Sequence, residues 1–173
     1  MNTDTNTELF ERLGIPERIK EIAGYDLYSA DLRTSLDAIA ERSAKLLETP
    51  VSLVSILLDT SQFIIGSYGV SGWVAYAHGV PAEWAMCTHT VLAGKPYCVV
   101  DAREDPKHAD NPMVGMTGLR SYLGVPLKGF GGHTIGSHCV VDAKPRIFTD
   151  VDRAVLAEAA DEVMGLLDSC RLA

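Results

Sequence analysis

The sequence has no leader-like start and no long hydrophobic run. It opens with MNTDTNTE, which is polar and lacks both the basic beginning and the apolar stretch of a secretion signal. No uninterrupted apolar run approaches the ~20 residues that a membrane-spanning helix needs. These absences argue against a secreted or membrane-embedded protein, and we expect the chain to be cytoplasmic.

An excess of positive charge is also lacking. The 173 residues include 15 Lys and Arg against 23 Asp and Glu, which gives a formal net charge of -8. Nucleic acids and anionic membrane surfaces are bound by clustered Lys and Arg, so we expect neither as a partner. A small-molecule ligand and a signalling partner protein remain.

Cysteine is scarce, and its spacing excludes the common cysteine sites. Cys87, Cys98, Cys139 and Cys170 lie in or beside apolar runs and never form a C-x-x-C pair. Zinc knuckles and thioredoxin-type dithiols use that spacing. The sequence therefore predicts buried, reduced thiols and no metal site.

Motifs for catalysis and for phosphate binding are absent too. Gly129, Gly131 and Gly132 lie between two apolar runs, whereas a phosphate-cradling glycine loop leads into a helix. A cyclic nucleotide therefore has no support as a ligand. We expect a regulatory binding domain and not an enzyme.

The length and composition fit one domain. With 47% hydrophobic residues, the chain can bury a single core with room for a small pocket. Residues 1–14 are a polar N-terminal tail, which we expect to be disordered or loosely packed until something packs on Leu9 and Phe10. The domain itself is predicted over residues 15–173.

The strongest local pattern is a β-hairpin over residues 120–142. Two runs rich in β-branched residues flank the glycine-containing turn, where glycine supplies the positive φ angles of a tight reversal. Apolar runs over residues 51–58, 63–68 and 97–101 predict three more strands. The sequence alone thus gives five strands.

Helical periodicity is clearest near the two ends of this strand pattern. Residues 31–47 and 150–167 repeat apolar side chains at the 3.6-residue period, and a shorter helix is predicted over 15–23. Thr149 and Asp152 can form a capping box at the start of the last helix. Apolar stripes on these helices could exceed what one sheet face covers, which predicts a homodimer through the terminal helices.

The middle of the chain is less regular. Residues 70–80 have neither helical nor strand period and are predicted to form a flap. Residues 81–93 are predicted to form a helix, because Pro81 fits the first helical position and Gly94 follows the end. Residues 102–119 are predicted to be a loop with one short helix.

Several motifs follow one another in an order typical of a signalling module. They are WAMCTHTVL at 84–92, YCVVDAREDP at 97–106, ADNP at 109–112, RSYLGVPL at 120–127 and IGSHCVVD at 135–142. Together with the apolar run at 51–58, they resemble the GAF domain, a ligand-binding and dimerising module, over residues 30–167. The sequence differs at His108, where a Phe is usual, and at Ser121, where an aromatic residue is common. We expect both differences to alter the roof of the ligand pocket.

The resemblance implies an α+β fold of the GAF/PAS-like type. Its antiparallel sheet has five or six strands, with the N- and C-terminal helices on one face. The ligand pocket lies on the other face under a helix and loops. Eight side chains are candidates for lining it: Trp73, Trp84, His89, Asp101, Met113, Met116, Tyr122 and His138.

Each group of candidates also has a simpler explanation. The tryptophans, methionines and Tyr122 form a pocket wall if the connection over 102–119 folds over the sheet, and otherwise they belong to the core. His89 is either a ligand contact or a structural histidine, and the second is favoured. Asp101 could anchor an ionic ligand, but a role in capping a turn is favoured.

Two pairs of chemically active residues are separated by their geometry. Cys87 and His89 are two residues apart on a predicted helix and cannot bind one ion together, so Cys87 is predicted to be a core thiol. His138 and Cys139 are neighbours on a predicted strand and face opposite sides of the sheet.

The resemblance also bears on cofactors, none of which we assign. Bilin-binding members attach their pigment at a Cys followed by His, and here the only adjacent pair is reversed, so no pigment is expected. A haem held by one histidine, as in some redox-sensing relatives, stays open for His78, His89 or His138.

The resemblance predicts a domain that senses a small molecule or transmits a signal, acting through a homodimer or a partner protein with no output domain attached. The alternative is a thiol-based redox enzyme or redox or haem sensor, like the free methionine sulfoxide reductases of this family. Such an enzyme needs an exposed thiolate with a resolving thiol in reach. The cysteine-bearing segments of those enzymes look unlike the segments found here.

Overall fold

The structure is a computed structural model and describes residues 3–173. Its helices and strands form an α+β domain. In chain order they are α1 (Thr3–Leu13), α2 (Pro16–Ile22), α3 (Ala30–Leu46), β1 (Val51–Leu57), β2 (Ser61–Tyr68), α4 (Gly72–Ala77), β3 (Gly79–Pro81), a 3₁₀ turn (Ala82–Trp84), α5 (Cys87–Ala93), β4 (Tyr97–Val99), α6 (Pro112–Thr117), β5 (Ser121–Lys128), β6 (Thr134–Asp142) and α7 (Asp150–Ser169).

The strands form one antiparallel sheet in the order β3-β2-β1-β6-β5-β4. The predicted hairpin is the pair β5 and β6, and it lies beside β1 at the centre of the sheet. The strand missed by the sequence is β3, which has only three residues and pairs with the edge of β2. The predicted fold class is therefore confirmed, with six strands.

One face of the sheet is covered by α3 and α7. Leu36 and Ile39 of α3 and Leu156 and Val163 of α7 are buried against apolar side chains of β1, β5 and β6. The capping box at Thr149 forms as predicted, since its hydroxyl accepts from the backbone of Asp152 and the Asp152 carboxylate accepts in return. We call this side the helix face.

The opposite face is covered by α5, by the segment 102–119 and by α1. Buried side chains of this second core include Met86 and Val91 from the α5 region and Val114 from α6. Tyr122 and Cys139 contribute from the sheet. We call this side the roofed face, and the covering segments the roof.

The segment 1–14, expected to be a disordered or loosely packed tail, is helical from Thr3 to Leu13. Residues 3–13 form α1, and residues 1 and 2 lie outside the described part. Leu13 is fully buried, and Leu9 and Phe10 pack partly buried against the roofed core. The apolar residues near the end of the polar segment therefore find a partner within the same domain.

The helix predicted over 81–93 is shorter and begins at Cys87. Pro81 has an extended backbone (ψ 141°) because it closes β3, so it cannot start a helix. A 3₁₀ turn follows, and Ala85 is extended again (ψ 126°). Pairing with β2 has overridden the local helical signal of proline.

The predicted flap over 70–80 is partly regular. It contains α4, which ends at His78 in a left-handed conformation (φ 55°), and then β3. Only a glycine fits at position 79, because a Cβ there would lie 2.0 Å from the carbonyl oxygen of Gln62 on β2.

Over residues 3–173, no helix is both long enough and apolar enough to span a bilayer.

Candidate functional site

Four rings from different elements meet on the roofed face. The imidazole of His89 on α5 stacks on Tyr97 of β4, with ring centroids 5.2 Å apart and planes at 17°. His108, from the segment before α6, meets the His89 ring edge-on at 4.8 Å. Tyr122 of β5 completes the group, with its ring 6.3 Å from that of Tyr97. We call these four residues the imidazole–phenol cluster.

Local turn chemistry holds His108 in place. Its backbone NH donates to the carbonyl of Asp105, and its own carbonyl accepts from the NH of Asn111. The Asn111 side chain caps α6 at the NH of Met113 and donates from its amide to the carbonyl of Trp84, 3.1 Å away. The ADNP motif thus ties the roof to the segment that precedes α5.

His108 is buried with one ring nitrogen unpartnered. Its Nε2 lies 2.5 Å from the hydroxyl of Tyr97, and only 1% of its surface is exposed. Within the described part of the chain, its Nδ1 has no hydrogen-bond partner. A buried polar atom without a partner costs about 1–3 kcal/mol, so this nitrogen is a ready contact for a ligand group.

Burial keeps both imidazoles of the cluster neutral. Desolvation, together with the positive charge of Lys107, lowers the pKa of His89 to about 4, and protonating His89 and His108 at once is further opposed by their repulsion. Desolvation likewise lowers the pKa of His108. Neutral imidazoles each offer one donor and one acceptor, so the cluster suits a polar or amphipathic molecule.

A second set of polar groups lies deeper, between α5 and the sheet. The hydroxyl of Tyr122 is 2.8 Å from the Thr90 hydroxyl, 3.2 Å from the Ser137 hydroxyl and 3.4 Å from the sulfur of Cys87. The Cys87 sulfur is 3.8 Å from that of Cys139. All five residues are buried, and we call them the hydroxyl–thiol network. The prediction that Cys87 is a core thiol is confirmed.

A glycine makes room for this network. A Cβ at Gly124 of β5 would lie 2.1 Å from the Tyr122 hydroxyl oxygen and 2.7 Å from the Thr90 hydroxyl oxygen. Both distances are shorter than any non-bonded contact of a real Cβ. The glycine in the SYLGVPL strand is therefore required by the packing of α5 on β5.

The other predicted pocket residues are dispersed. Met113 is partly buried in the roofed core, and Trp84 is half-buried where its carbonyl accepts from Asn111. Trp73 and Met116 are exposed on the short helices α4 and α6. The structure thus brings His89 and Tyr122 together and leaves Trp73 and Met116 at the surface.

Asp101 is engaged in a local ion pair. Both of its carboxylate oxygens accept from Arg120, at 2.7 and 2.6 Å, and one also accepts from the backbone NH of Arg103. The hydrogen bonds from Arg120 lower the pKa of Asp101. This carboxylate joins the end of β4 to the start of β5.

His138 lies on the helix face, which corrects its assignment to the pocket. Its Nε2 is 2.8 Å from the Ser43 hydroxyl of α3, and its Nδ1 is 2.9 Å from the carbonyl oxygen of Leu53. The neighbouring Cys139 points to the roofed face, so the predicted alternation of this pair is confirmed. Ser121 shares the helix-face side of β5 with Leu123, so it does not contribute to the roof as expected.

The three histidines considered for a haem do not fit one. Both ring nitrogens of His138 are already hydrogen-bonded, and His89 is packed between Tyr97 and His108. His78 is exposed at the end of α4. Among residues 3–173, no group of three or more His, Cys, Asp or Glu side chains is arranged to hold a metal ion.

Two grooves of the described chain lie elsewhere. One, of about 390 Å³, is lined by residues that include Tyr28, Arg33, Phe63 and His78, at the edge formed by α3 and β2. The other follows the outer surface of α3. The imidazole–phenol cluster lines neither groove; His89 and Tyr97 are half-buried, and His108 and Tyr122 are buried.

The sequence did not identify Tyr97 or Thr90 as members of the site. Strand alternation could have found Tyr97, because it shares a face of β4 with the buried Val99. Helical spacing gives no such signal for Thr90, whose partner Tyr122 is 32 residues away. That contact exists only once α5 is packed on β5.

Comparison with known proteins found one curated relative of this chain at 31% identity. A cyclic di-GMP phosphodiesterase of Pseudomonas aeruginosa is 31% identical over 137 residues, which are 78% of this chain and 22% of that protein. The chain thus spans about a fifth of this relative's length.

Solved structures share the fold at low identity. The type II free methionine-R-sulfoxide reductase of Thermoplasma acidophilum has a TM-score of 0.67 and 18% identity, covering 85% of this chain and 99% of that one. The GAF domain of an Acinetobacter phosphoenolpyruvate-protein phosphotransferase has a TM-score of 0.65 and 16% identity, covering 98% and 96%.

The decisive match is to a family model. The model described as the GAF domain matches residues 31–167, which include α3, all six strands and most of α7. This range agrees with the one over which the motifs resemble that family. The chain therefore belongs to the GAF domain family.

Proposed function

We propose that this chain is a regulatory GAF domain that binds a small amphipathic molecule at the imidazole–phenol cluster. The observation that carries the proposal is the buried Nδ1 of His108, which has no partner within residues 3–173. A ligand with one hydrogen-bonding group would satisfy that atom and could stack on the neighbouring rings. Ligand binding at this face is supported by membership of a family whose domains bind small molecules.

The proposed ligand enters by displacing the roof. The segment 102–119 has one short helix and is otherwise turns, and its Met113 side chain is partly buried. Among the described residues, this segment contributes Ala102 and Val114 to the buried roofed core, fewer than residues 85–91 contribute, so we propose that it opens with less loss of packing.

The proposed signal then passes through β6 to the helix face. In β6, Cys139 contacts the roof and the adjacent His138 contacts Ser43 of α3. A shift of this strand therefore changes contacts on both faces. We propose that α3 and α7 transmit this change to a second copy of the chain or to a partner protein through their contacts with it.

A thermal-shift panel of metabolites tests the ligand site. We expect at least one compound to raise the Tm of the wild type, and the rise to disappear in His108→Phe. As a matched control, Tyr28→Ala alters the groove beside α3 and should keep the full shift. A shift lost in Tyr28→Ala and kept in His108→Phe would place the ligand in the groove and contradict the proposal.

The oligomeric part of the proposal has its own test. Leu46 of α3 and Val151 of α7 are exposed apolar residues, but most of the apolar stripe of α7 is used against the sheet. We expect light scattering at tens of micromolar to detect a homodimer that Leu46→Glu weakens. A monomer at that concentration would leave a separate partner protein as the receiver.

An enzymatic role is a second candidate because two thiols lie close together in the roofed core. The structural neighbours include free methionine-R-sulfoxide reductases, but Cys87 and Cys139 are both buried. A direct assay of free methionine-R-sulfoxide reduction with dithiothreitol decides it. Turnover that is lost in Cys87→Ser would favour the enzyme.

A further inference from the structure

Cys87 and Cys139 form a contact that the proposed ligand site does not use. Their sulfur atoms are 3.8 Å apart, and the residues are only 2% and 0% exposed. Cys87 is the first residue of α5, and Cys139 lies in β6 near the centre of the sheet. The contact therefore joins the roof directly to the sheet.

The separation is short enough for a bond to form after a small movement. A disulfide bond is about 2.0 Å long, so the sulfurs must approach by about 1.8 Å. Rotation about one Cα–Cβ bond moves a cysteine sulfur by a distance of this order. The two sulfur atoms therefore lie within the range of side-chain rotation.

The two thiols are chemically unequal. The contact with the Cys139 thiol and the nearby hydroxyls of Tyr122, Ser137 and Ser55 lower the pKa of Cys87 to about 7, although burial opposes this. The same contact with Cys87, together with burial, raises the pKa of Cys139 well above its ordinary value. The Tyr122 hydroxyl donates to the Cys87 sulfur at 3.4 Å, which favours a thiolate there, so we assign Cys87 as the nucleophile and Cys139 as the thiol that attacks the oxidised sulfur.

We propose that Cys87 and Cys139 are a redox-modification site, which a small hydroperoxide converts to an intramolecular disulfide that fastens α5 to β6. The Cys87 thiolate attacks the peroxide, the O–O bond breaks, and an alcohol (water from hydrogen peroxide) leaves after taking up a proton. This gives a sulfenic acid at Cys87. The sulfur of Cys139 then attacks the sulfenic sulfur, and hydroxide leaves as water with the Cys139 proton. Two thiols and one hydroperoxide thereby yield one disulfide, one alcohol and one water.

The disulfide would act on the roof itself. With α5 bonded to β6, the roof can no longer separate from the sheet at Cys87, whatever happens at the segment 102–119. Because both thiols are buried, the peroxide reaches them only when the roof opens. Oxidation is therefore slow, and its rate depends on how often the roof opens. This proposal does not rest on the ligand proposed at His108.

The test uses the full chain, reduced and then exposed to hydrogen peroxide. Thiols left free are alkylated under denaturing conditions, and peptides are mapped by mass spectrometry. We expect a loss of about 2 Da in the intact mass before alkylation, a linked peptide pair containing Cys87 and Cys139, and reversal by dithiothreitol. The matched control is the Cys98→Ser, Cys170→Ser double variant, which retains the pair and should give the same link.

Single variants separate the two roles. Cys139→Ser should reduce the disulfide yield by at least about tenfold and leave a dimedone-reactive sulfenic acid at Cys87. If that variant does not fold, as judged by circular dichroism, the linked peptide in the double variant still decides the question. Links made only through Cys98 or Cys170 would overturn the proposal. Full alkylation of Cys87 and Cys139 after peroxide has already oxidised Cys98 would also overturn it.

Discussion

The ring of His138 bridges β6 and α3 across the core of the helix face: its Nε2 is 2.8 Å from the hydroxyl of Ser43. Its Nδ1 faces the carbonyl oxygen of Leu53, which can only accept, so Nδ1 carries the proton. The Ser43 hydroxyl must therefore donate to Nε2. This arrangement satisfies a neutral imidazole completely, and a second ring proton on Nε2 would require the Ser43 hydroxyl to turn from donor to acceptor.

Acid should destabilise the protein through this histidine. Burial lowers the pKa of His138 to about 4 from an ordinary value of 6.5. The unfolded chain then binds one more proton than the folded chain between these values, so stability is full above pH 6.5 and falls as the pH drops toward 4. The loss from this group amounts to about 3 kcal/mol.

Urea unfolding between pH 7 and 4.5 measures this effect. His138→Asn keeps a donor toward Leu53 but does not titrate, so its free energy of unfolding should fall less steeply with acid. Since burial also lowers the pKa of His89, some slope will remain in the variant. Equal slopes in the two proteins would contradict the assignment of a neutral, buried His138.

Arg18 should be a principal stabiliser of the contact between α2 and the sheet. Its guanidinium is 5% exposed and donates to the carbonyls of Leu13, Leu57 and Thr134. Burial lowers its pKa to about 10, so it stays charged at neutral pH. Arg18→Met leaves these carbonyls unpaired and should cost about 3 kcal/mol in denaturant unfolding.

A lysine on the surface supplies the control for Arg18. Lys45 pairs with Glu41 one turn away on α3, and both side chains are well exposed. Lys45→Met should leave the unfolding midpoint unchanged, because exposed pairs of this kind contribute little. A similar loss in both variants would show that charge alone, and not the buried hydrogen bonds, sets the stability.

Gly124→Ala should disrupt the packing of α5 on the sheet. The added Cβ would overlap the hydroxyls of Tyr122 and Thr90, so we expect a loss of about 2–4 kcal/mol. Gly165→Ala is the matched control, because nothing lies within 4 Å of its added Cβ in α7. That change should stabilise the protein by about 0.5–1 kcal/mol. A higher Tm for Gly124→Ala than for Gly165→Ala would show that the neighbouring hydroxyls do not exclude a side chain at position 124.

The hydroxyls of Tyr122 and Thr90 should be energetically coupled. We expect Tyr122→Phe to cost about 1–2 kcal/mol, since the Thr90 and Ser137 hydroxyls lose a buried partner. In a double-mutant cycle with Thr90→Val, the coupling should be at least about 0.5 kcal/mol. Thr117, whose hydroxyl donates only to its own helix on the surface, provides a control cycle that should show no coupling.

The predictable part of this fold is the part that local patterns determine. Thr149 and Asp152 define the start of α7 by their own chemistry, and strand alternation separates His138 from Cys139. Pro81 misled the prediction because pairing of β3 with β2, a contact between distant residues, decided its conformation.

The contents of the roofed face were less predictable for the same reason. His89 meets Tyr97 and His108 only after β4 and the segment 102–119 have both docked. No periodicity within one element encodes such a meeting. Methionines and tryptophans suggested a pocket wall, but Trp73 and Met116 lie at the surface. Their helices, α4 and α6, have only six residues each, and of these only Val114 is buried.

In the proposed function, a ligand under the roof changes the contacts of the helix face through β6. Hydrogen exchange measured by mass spectrometry tests it most directly, with the panel compound that raises the Tm most. We predict slower exchange in residues 102–119 and also in α3 around Ser43, with the effect on α3 reduced in His138→Asn. Protection confined to the roof, or found only around Tyr28 and Phe63, would contradict the account.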